Sequence, residues 1–285
     1  MALFVVAHEP APDNRSPQAR SLRLAADAAR QSGLAVIRLP FPFENPDDAL
    51  PSRLPGDLAV YSGPIPQFPS HYEVLEQSLA ARGARLVNAA SASEQASRIE
   101  HWHLPLGQLS AQTVILRSPA DLDAAGALGF PVFLKGLVKS AKESGFEACL
   151  ARDRDALEAR ARGAWAQGQT LAARELVPFK RTGVTTMRFP QAREYRVMLL
   201  DHEVLHHQFY WAASDPVGSL SEPDRDEMLG LAERASRLLE ARLLVVDAGQ
   251  LDDNNWRVVE VGDSQHTGLA HIPPHRYWTE LKDRL

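Results

Sequence analysis

Two carboxylates near the C-terminus are spaced to act on one ligand. The stretch 243–269, LLVVDAGQLDDNNWRVVEVGDSQHTGL, reads as a β-hairpin: an apolar run at 243–246 leads into an Asp252-Asp253-Asn254-Asn255 tip, and 256–261 returns. Asx residues tolerate the left-handed conformations that tight hairpin turns require. With the turn centred between Asp253 and Asn254, Asp247 falls opposite Glu260, and both side chains point to one face because strand side chains alternate. Like charges directly opposite destabilise a sheet. At about 5 Å and an effective dielectric of about 20 the repulsion is on the order of 3 kcal/mol. A shared proton or a divalent cation relieves it, and Mg²⁺ favours carboxylate oxygens. A solvated pair, or a register slipped by one residue, is the alternative.

A second chemical signal is the use of lysine. Of 31 basic residues only five are lysines, Lys135, Lys139, Lys142, Lys180 and Lys282, and three of these fall within eight residues. Where arginine fills nearly every basic position, such a cluster points to a compact ammonium at a phosphate site; a solvated basic loop is the plainer reading. Several other chemistries find no support. There is no GxSxG elbow, HExxH, CxxC pair or GxxxxGK[ST] loop. His101 and His103, the pair His206 and His207, and His266, His271 and His275 read as structural histidines, since no third ligand accompanies them locally.

The elements that must position these residues follow from periodicity. The first ninety residues alternate as strand and helix, which implies a parallel sheet with ligand crevices beyond the carboxyl ends of its strands. Ser16-Pro17 reads as an N-cap followed by proline at the first helical position. A connecting helix is expected at 91–102. From Thr113 the pattern changes to strand 113–116, helix 119–128, strand 130–134 ending on Lys135, the loop KGLVKSAKESG (135–145), a returning strand at 146–150, helix 153–167 and strand 170–177. A loop rich in arginine and threonine (180–193) precedes strands at 194–199 and 204–211, helix 224–239 and the hairpin.

Length and composition set outer bounds. The 285 residues suffice for two domains. Hydrophobic residues at 45% and charged residues at 24% are ordinary for a globular protein. No apolar run approaches the roughly 20 residues of a membrane span, and the start, MALFVVAHEP, lacks the pattern of a signal peptide. The lone Cys149 excludes an internal disulfide and is expected to be a buried thiol in a reducing cytoplasm. A net charge of −5 gives no electrostatic case for nucleic acid as partner.

Taken in order, FPVFLKG (130–136), the loop to Gly145, AARELV (172–177), REYRV (193–197), LLVVDAG (243–249) and VVEVGDSQHTGL (258–269) make the chain resemble the ATP-grasp fold. The resemblance covers roughly residues 91–269. It implies an α/β chain, with α+β ATP-grasp subdomains: an N-terminal parallel-sheet α/β domain (1–98) followed by a two-lobed ATP-grasp domain (99–285, lobes 113–177 and 178–285). By resemblance, Lys135 contacts the nucleotide phosphates, and Lys139, Ser140 and Lys142 sit in a loop that closes over them. Glu175, Leu176 and Val177 form the hinge against adenine and ribose. Glu194 and Arg196 line the ribose-phosphate end, and Asp247 and Glu260 are the Mg²⁺ carboxylates.

Two departures from the family pattern stand out. Gly262-Asp263 replaces the usual asparagine two residues beyond the second carboxylate, which makes Asp263 a third metal ligand by expectation. No lysine occurs between Arg98 and Thr113, so that Arg98 or Arg117 is expected to stand in for the family's early lysine.

The function implied is ATP- and Mg²⁺-dependent ligation of a carboxylate to an amine through an acyl-phosphate, with Arg196, Lys142 and Glu260 closest to the chemistry. The substrates expected are small molecules or peptides, anchored by Arg188, Arg193 or Arg276. No nucleic acid or membrane partner is expected, and a homodimer is compatible with the resemblance. A kinase of the same fold and a non-catalytic nucleotide-binding module are the alternatives at this level.

Overall fold

The computed structural model describes residues 2–40, 45–64, 70–138, 144–186 and 188–285. Lys139, Ser140 and Lys142 lie outside them.

Three sheets carry the architecture. In the first, β1 (Leu3–Glu9), β2 (Ala35–Pro40), β3 (Leu58–Ser62) and β4 (Arg85–Leu86) run parallel in the order β2-β1-β3-β4, with α1 (Pro17–Gln31) and α2 (Ser70–Ala80) as crossovers. Phe4, Val5, Val6 and Ala7 are all fully buried, because a central parallel strand is covered on both faces and reads as one continuous apolar run. Ser16 caps α1 by accepting from the amide of Ala19, with Pro17 opening the helix as expected.

The connecting helix is two helices, α3 (Ala90–Ser97) and α4 (Ile99–Leu106). Arg98 between them is extended (φ −118°, ψ 122°), and the amide of Ile99 donates to the carbonyl of Leu137, so a tertiary hydrogen bond interrupts the helix.

The second sheet is antiparallel, ordered β5-β8-β6-β7, from β5 (Thr113–Leu116), β6 (Val132–Gly136), β7 (Leu150–Ala151) and β8 (Leu171–Arg174), with α5 (Leu122–Gly126) and α6 (Arg154–Ala166) packed on it. Two expectations are corrected here. The helix anticipated to Leu128 stops at Gly126, and Gly129 takes φ +86°, the left-handed backbone that ends a helix and favours glycine. The returning strand at 146–150 is a 3₁₀ turn (Glu147–Cys149) followed by the two residues of β7.

The loop at 180–193 contains a hairpin of β9 (Arg181–Val184) and β10 (Pro190–Ala192). The third sheet follows, antiparallel and ordered β12-β11-β13-β14: β11 (Glu194–Leu200), β12 (Glu203–Phe209), then α7 (Glu222–Ser236), β13 (Leu243–Gln250), β14 (Trp256–Asp263) and the final α8 (Pro274–Arg284). At the tip of the β13–β14 hairpin Asn254 is left-handed (φ 72°), as its Asx sequence anticipates.

Strand alternation divides the labour of this third sheet. On one face Val197, Leu199, Leu244, Val246 and Val261 pack against α3, α4 and α7. On the other, Met198, Leu200, Leu243 and Val245 pack against β1, α1 and α8, and Asn88 stitches the sheets together by exchanging two hydrogen bonds (2.8 and 2.9 Å) with the backbone of Leu243. The same face continues beyond that contact as Glu194, Arg196, Asp247 and Glu260. Burying each large apolar side chain stabilises by about 1.5–3 kcal/mol, so one end of the face is fixed by packing while the other is left for polar work. Among the described residues no helix is long and apolar enough to cross a membrane.

Candidate active site

Arg196, Asp247 and Glu260 form a row across three strands. Arg196 pairs with Asp247 in the β11–β13 register, and Asp247 with Glu260 in the β13–β14 register. The carboxylate pairing is the expected one, but the turn centre is not: the turn is centred on Asp253, with Gln250 opposite Trp256, one residue off the expected register. A bulge then resets the register so that Ala248 faces Val258, leaving Val259 as the extra residue.

Each carboxylate has its own cation. Arg196 holds Asp247 in a fork, Nε to Oδ1 at 2.8 Å and Nη2 to Oδ2 at 2.7 Å, with both side chains under one-tenth exposed. Its guanidinium also lies over the ring of Tyr210 at 4.8 Å and donates to the carbonyl of Gly268. Burial disfavours the charge on Arg196, but Asp247 outweighs it and the guanidinium pKa is raised. Lys135 Nζ, almost fully buried at the end of β6, donates to Glu260 Oε1. The repulsion inferred from the hairpin is therefore relieved by two cations delivered from other strands.

A third cation was not anticipated. Arg174 ends β8, and the β6–β8 register pairs it with Phe133, on the face that carries Lys135. It is buried and donates to the carbonyl of the bulge residue Val259 (2.8 Å) and to Ser110 Oγ (2.8 Å), linking the second sheet to the third. Burial pulls its pKa down to about 10, opposed by Glu260 and Glu175, so it stays charged near neutrality. Arg98 and Arg117 do not line the cleft; Arg174 and Arg181 do, and of these two Arg174 is the buried one. The signal for it was a basic residue closing an apolar strand, as Lys135 does.

Lys135, Arg174 and Glu260 border a cleft of about 570 Å³ between the second and third sheets, within the range of small-molecule sites. Arg196 and Asp247 lie behind Glu260 in the row and are not among the described residues lining it. Of the residues singled out in the sequence, Lys135, Glu175, Leu176, Val177, Glu194 and Glu260 line it. Glu175 accepts from Arg257 Nη1 (3.2 Å) and from the amide of Gln112 (3.3 Å), which holds the segment after β8 against the hairpin. One side of the wall is aromatic: Phe146 and Phe189 meet edge to face at 5.4 Å, and Phe189 leans on Trp211 at 6.3 Å. Phe133 was legible as the residue two before Lys135 on the same strand face; Phe189 and Trp211 reach the cleft from beyond strand ends, where no periodicity announces them.

Asp263 does not join the other two carboxylates. Three residues beyond Glu260, it falls on the opposite face of β14 and is fully buried. Its Oδ1 accepts from the amide of Gln265 (2.8 Å) and its Oδ2 from Gln265 Nε2 (3.1 Å). Gln265 in turn donates to Tyr72 Oη (2.7 Å) and accepts from the amide of Tyr61 (2.8 Å), which docks the segment after β14 onto the first sheet. Asp263→Asn should therefore leave Mg²⁺-dependent nucleotide affinity within about twofold of wild type while lowering stability by about 1–2 kcal/mol, the cost of disturbing buried hydrogen bonds. Titration calorimetry and thermal unfolding separate the two effects; a lost metal dependence would restore Asp263 to the metal site. Arg193 is likewise committed elsewhere, to Asp215 (2.7 Å) and the carbonyl of Gly218.

Among the described residues no group of three or more His, Cys, Asp or Glu is arranged to hold a metal ion. Two opposed carboxylates nonetheless fit Mg²⁺, which commonly takes one or two protein carboxylates and completes its shell with phosphate oxygens and water.

Comparison with known proteins agrees with this geometry. The family model described as the ATP-grasp domain of the R-2K clade, family 3, matches residues 81–281. No curated protein matches the sequence. A RimK domain protein ATP-grasp from Sphaerobacter thermophilus superposes with a TM-score of 0.65 at 16% identity, over 99% of this chain and 98% of that one. D-alanine–D-alanine ligase from Bacillus anthracis, complexed with ATP, gives 0.66 at 13% identity over 99% and 94%. N5-carboxyaminoimidazole synthase from Aspergillus clavatus, in complex with ADP, gives 0.62 at 13% identity over 98% and 76%. At such identities the structures share a fold, whereas the family model spans most of the chain and all the cleft residues named above. The chain belongs to the ATP-grasp domain family, in family 3 of the R-2K clade.

Proposed function

We propose that the protein is an ATP-dependent ligase that joins a carboxylate to an amine through an acyl-phosphate. The observation that carries this reading is the row of Arg196, Asp247 and Glu260, met at Glu260 by Lys135 and beside it by Arg174, where Glu260, Lys135 and Arg174 open on a cleft whose aromatic side suits a nucleotide base.

In this reading the segment 175–177 and the aromatic wall hold adenine and ribose. Asp247 and Glu260 hold Mg²⁺, which when bound neutralises triphosphate charge. Lys135 turns from Glu260 to the phosphates, and Arg196, kept in place by Asp247 and Tyr210, presents positive charge where the γ-phosphoryl group is transferred. Lys139, Ser140 and Lys142 are assigned to the phosphates by the family resemblance. An oxygen of the substrate carboxylate attacks the γ-phosphorus, and the bond to the β-phosphate oxygen breaks to release ADP. The amine nitrogen then attacks the acyl carbon, the carbon–oxygen bond to phosphate breaks, and the amine loses a proton to solvent. No protein nucleophile is required. Catalysis of this kind rests on positioning and electrostatics. The substrates are small molecules or peptides, and a cytoplasmic setting fits a supply of ATP.

Calorimetric titration with a non-hydrolysable ATP analogue, with and without Mg²⁺, tests the reading. Lys135→Ala should weaken binding at least about tenfold, since a charge-assisted contact is worth roughly 1.5–3 kcal/mol, whereas Lys282→Ala, on α8 far along the chain from the cleft, should not change it. Equal effects, or a phosphorylated product in place of an amide, would remove the ligase assignment.

A further inference from the structure

The bulge in β14 has its cause in the core. Val258 and Val261 both pack into the apolar cluster on the α3, α4 and α7 side of the third sheet. Residues three apart on a regular strand point to opposite faces, so burying both requires one extra residue between them. That residue is Val259, and the shift it introduces sets Glu260 opposite Asp247 once Ala248 has paired with Val258. A slip of one residue there would turn Glu260 away from Asp247. The face on which Glu260 stands therefore depends on how firmly the bulge is held.

β14 is an edge strand, and a bulge leaves the backbone of its extra residue out of the ladder. A carbonyl withdrawn from water without a partner is costly. Here the partners come from outside the sheet. Arg174 Nη1 donates to the carbonyl of Val259 (2.8 Å) and Nη2 to Ser110 Oγ (2.8 Å). Ser110 Oγ donates in turn to the carbonyl of Val258 (3.3 Å), and Ser110 lies beside Val258 in a parallel bridge. The ring of Trp102 backs the guanidinium, with its centroid at 5.5 Å, and Trp102 and Ser110 are both buried. The two carbonyls that precede Glu260 are thus gripped by one serine and one arginine.

We propose that Arg174 is a positioning residue, which together with Ser110 clamps the bulge and so holds Glu260 beside Asp247 for the metal ion. The inference rests on the ligase reading above and names the part of that site that orients a metal ligand. It also separates Arg174 from Lys135, its neighbour in the cleft. Lys135 turns to the phosphates in that reading, whereas both terminal nitrogens of Arg174 already donate to Val259 and Ser110, and its side chain is 7% exposed. Groups that orient a metal ligand from behind have large effects: their loss costs about 10–100-fold in metal affinity or activity.

Calorimetric titration of the full chain with the non-hydrolysable ATP analogue, with and without Mg²⁺, tests the clamp. Arg174→Lys keeps the charge, but a single ammonium cannot reproduce the two-armed grip. Its metal-free affinity for the analogue should stay within about twofold of wild type, while the gain in affinity on adding Mg²⁺ should fall at least about tenfold. Ser110→Ala leaves Arg174 and the cleft lining in place, since Ser110 is not among the described residues that line the cleft. There the gain from Mg²⁺ should fall several-fold, again with metal-free affinity unchanged. Thermal unfolding of the same samples establishes that the variants are folded, and if Arg174→Lys does not fold, Ser110→Ala decides alone.

A gain from Mg²⁺ equal to that of wild type in either folded variant would overturn the assignment. So would a metal-free affinity that falls about tenfold in Arg174→Lys, because Arg174 would then be a phosphate contact. A wild type that does not bind the analogue, or binds it no better with Mg²⁺, would instead overturn the ligase reading, and this inference with it.

Discussion

Glu260→Gln should lower turnover by roughly 10³-fold or more and also destabilise the protein. The first effect follows from the proposed chemistry: removing one preorganised electrostatic contact at a reacting centre costs about 10²–10³ in kcat, and this change removes half of the carboxylate pair. The second effect follows from the charges around it. Glu260 neutralises Lys135, which is 4% exposed, and faces the buried Arg174. Losing the carboxylate leaves two cations on one side of the cleft.

Breaking a buried pair costs about 3–5 kcal/mol. Glu260 itself is 31% exposed, so solvent screening reduces the expected loss to about 1–2 kcal/mol. The hairpin alone suggests the opposite sign, because two unpaired carboxylates would repel and removing one would help. ADP release and thermal unfolding measured on the same preparation decide it. A variant as stable as wild type would contradict the Lys135–Glu260 pairing, and a fully active one would contradict the site.

Asp247→Ala is the change with the largest expected effect on stability. Arg196 would keep Tyr210 and the carbonyl of Gly268 but lose the carboxylate fork of Asp247 while about 7% exposed. An uncompensated buried charge of this kind costs about 3–5 kcal/mol, a fall in Tm of roughly 10 °C for a chain of this size. Mg²⁺-dependent nucleotide binding should disappear as well.

The paired replacement Arg196→Met with Asp247→Leu separates the two roles. Well-packed apolar residues can replace a buried ion pair at little cost, so the double variant should recover most of the stability and none of the activity. Recovery of activity would mean that the pair only supports the fold. A double variant no more stable than Asp247→Ala would mean that the fork is not what sets the stability of this region.

How much of this was legible beforehand depends on the range of the interaction. Helix α1 was readable because Ser16, Pro17 and the spacing of its alanines are local signals, and the strands of the first sheet because continuous apolar runs mark strands covered on both faces. The hairpin at 181–192 was not, since its short strands bury no residue fully and carry no apolar alternation. The break at Arg98 was hidden for the same reason, as its cause is a hydrogen bond to Leu137 in another part of the chain. Arg174 was masked by composition: arginine is common throughout this sequence, and burial is what sets Arg174 apart from the exposed Arg181 in the same cleft.

The two carboxylates show where sequence ends and tertiary structure begins. That they lie near one another is local to a single hairpin and was legible, but their direct juxtaposition is not the work of the turn. The turn is centred on Asp253, an unbulged hairpin would set Asp247 opposite Val259, and the bulge at Val259 is what brings Glu260 there. Their electrostatic state is decided by tertiary structure. The cations that neutralise them lie 51 residues away for Arg196 and 125 for Lys135, and only the stacking of sheets brings them in. Asp263 makes the same point in reverse. Its spacing from Glu260 resembled a ligand's, yet a shift of three residues along a strand turns a side chain to the other face, and the partner waiting there, Gln265 docked on Tyr61 and Tyr72, exists only once the first and third sheets have met.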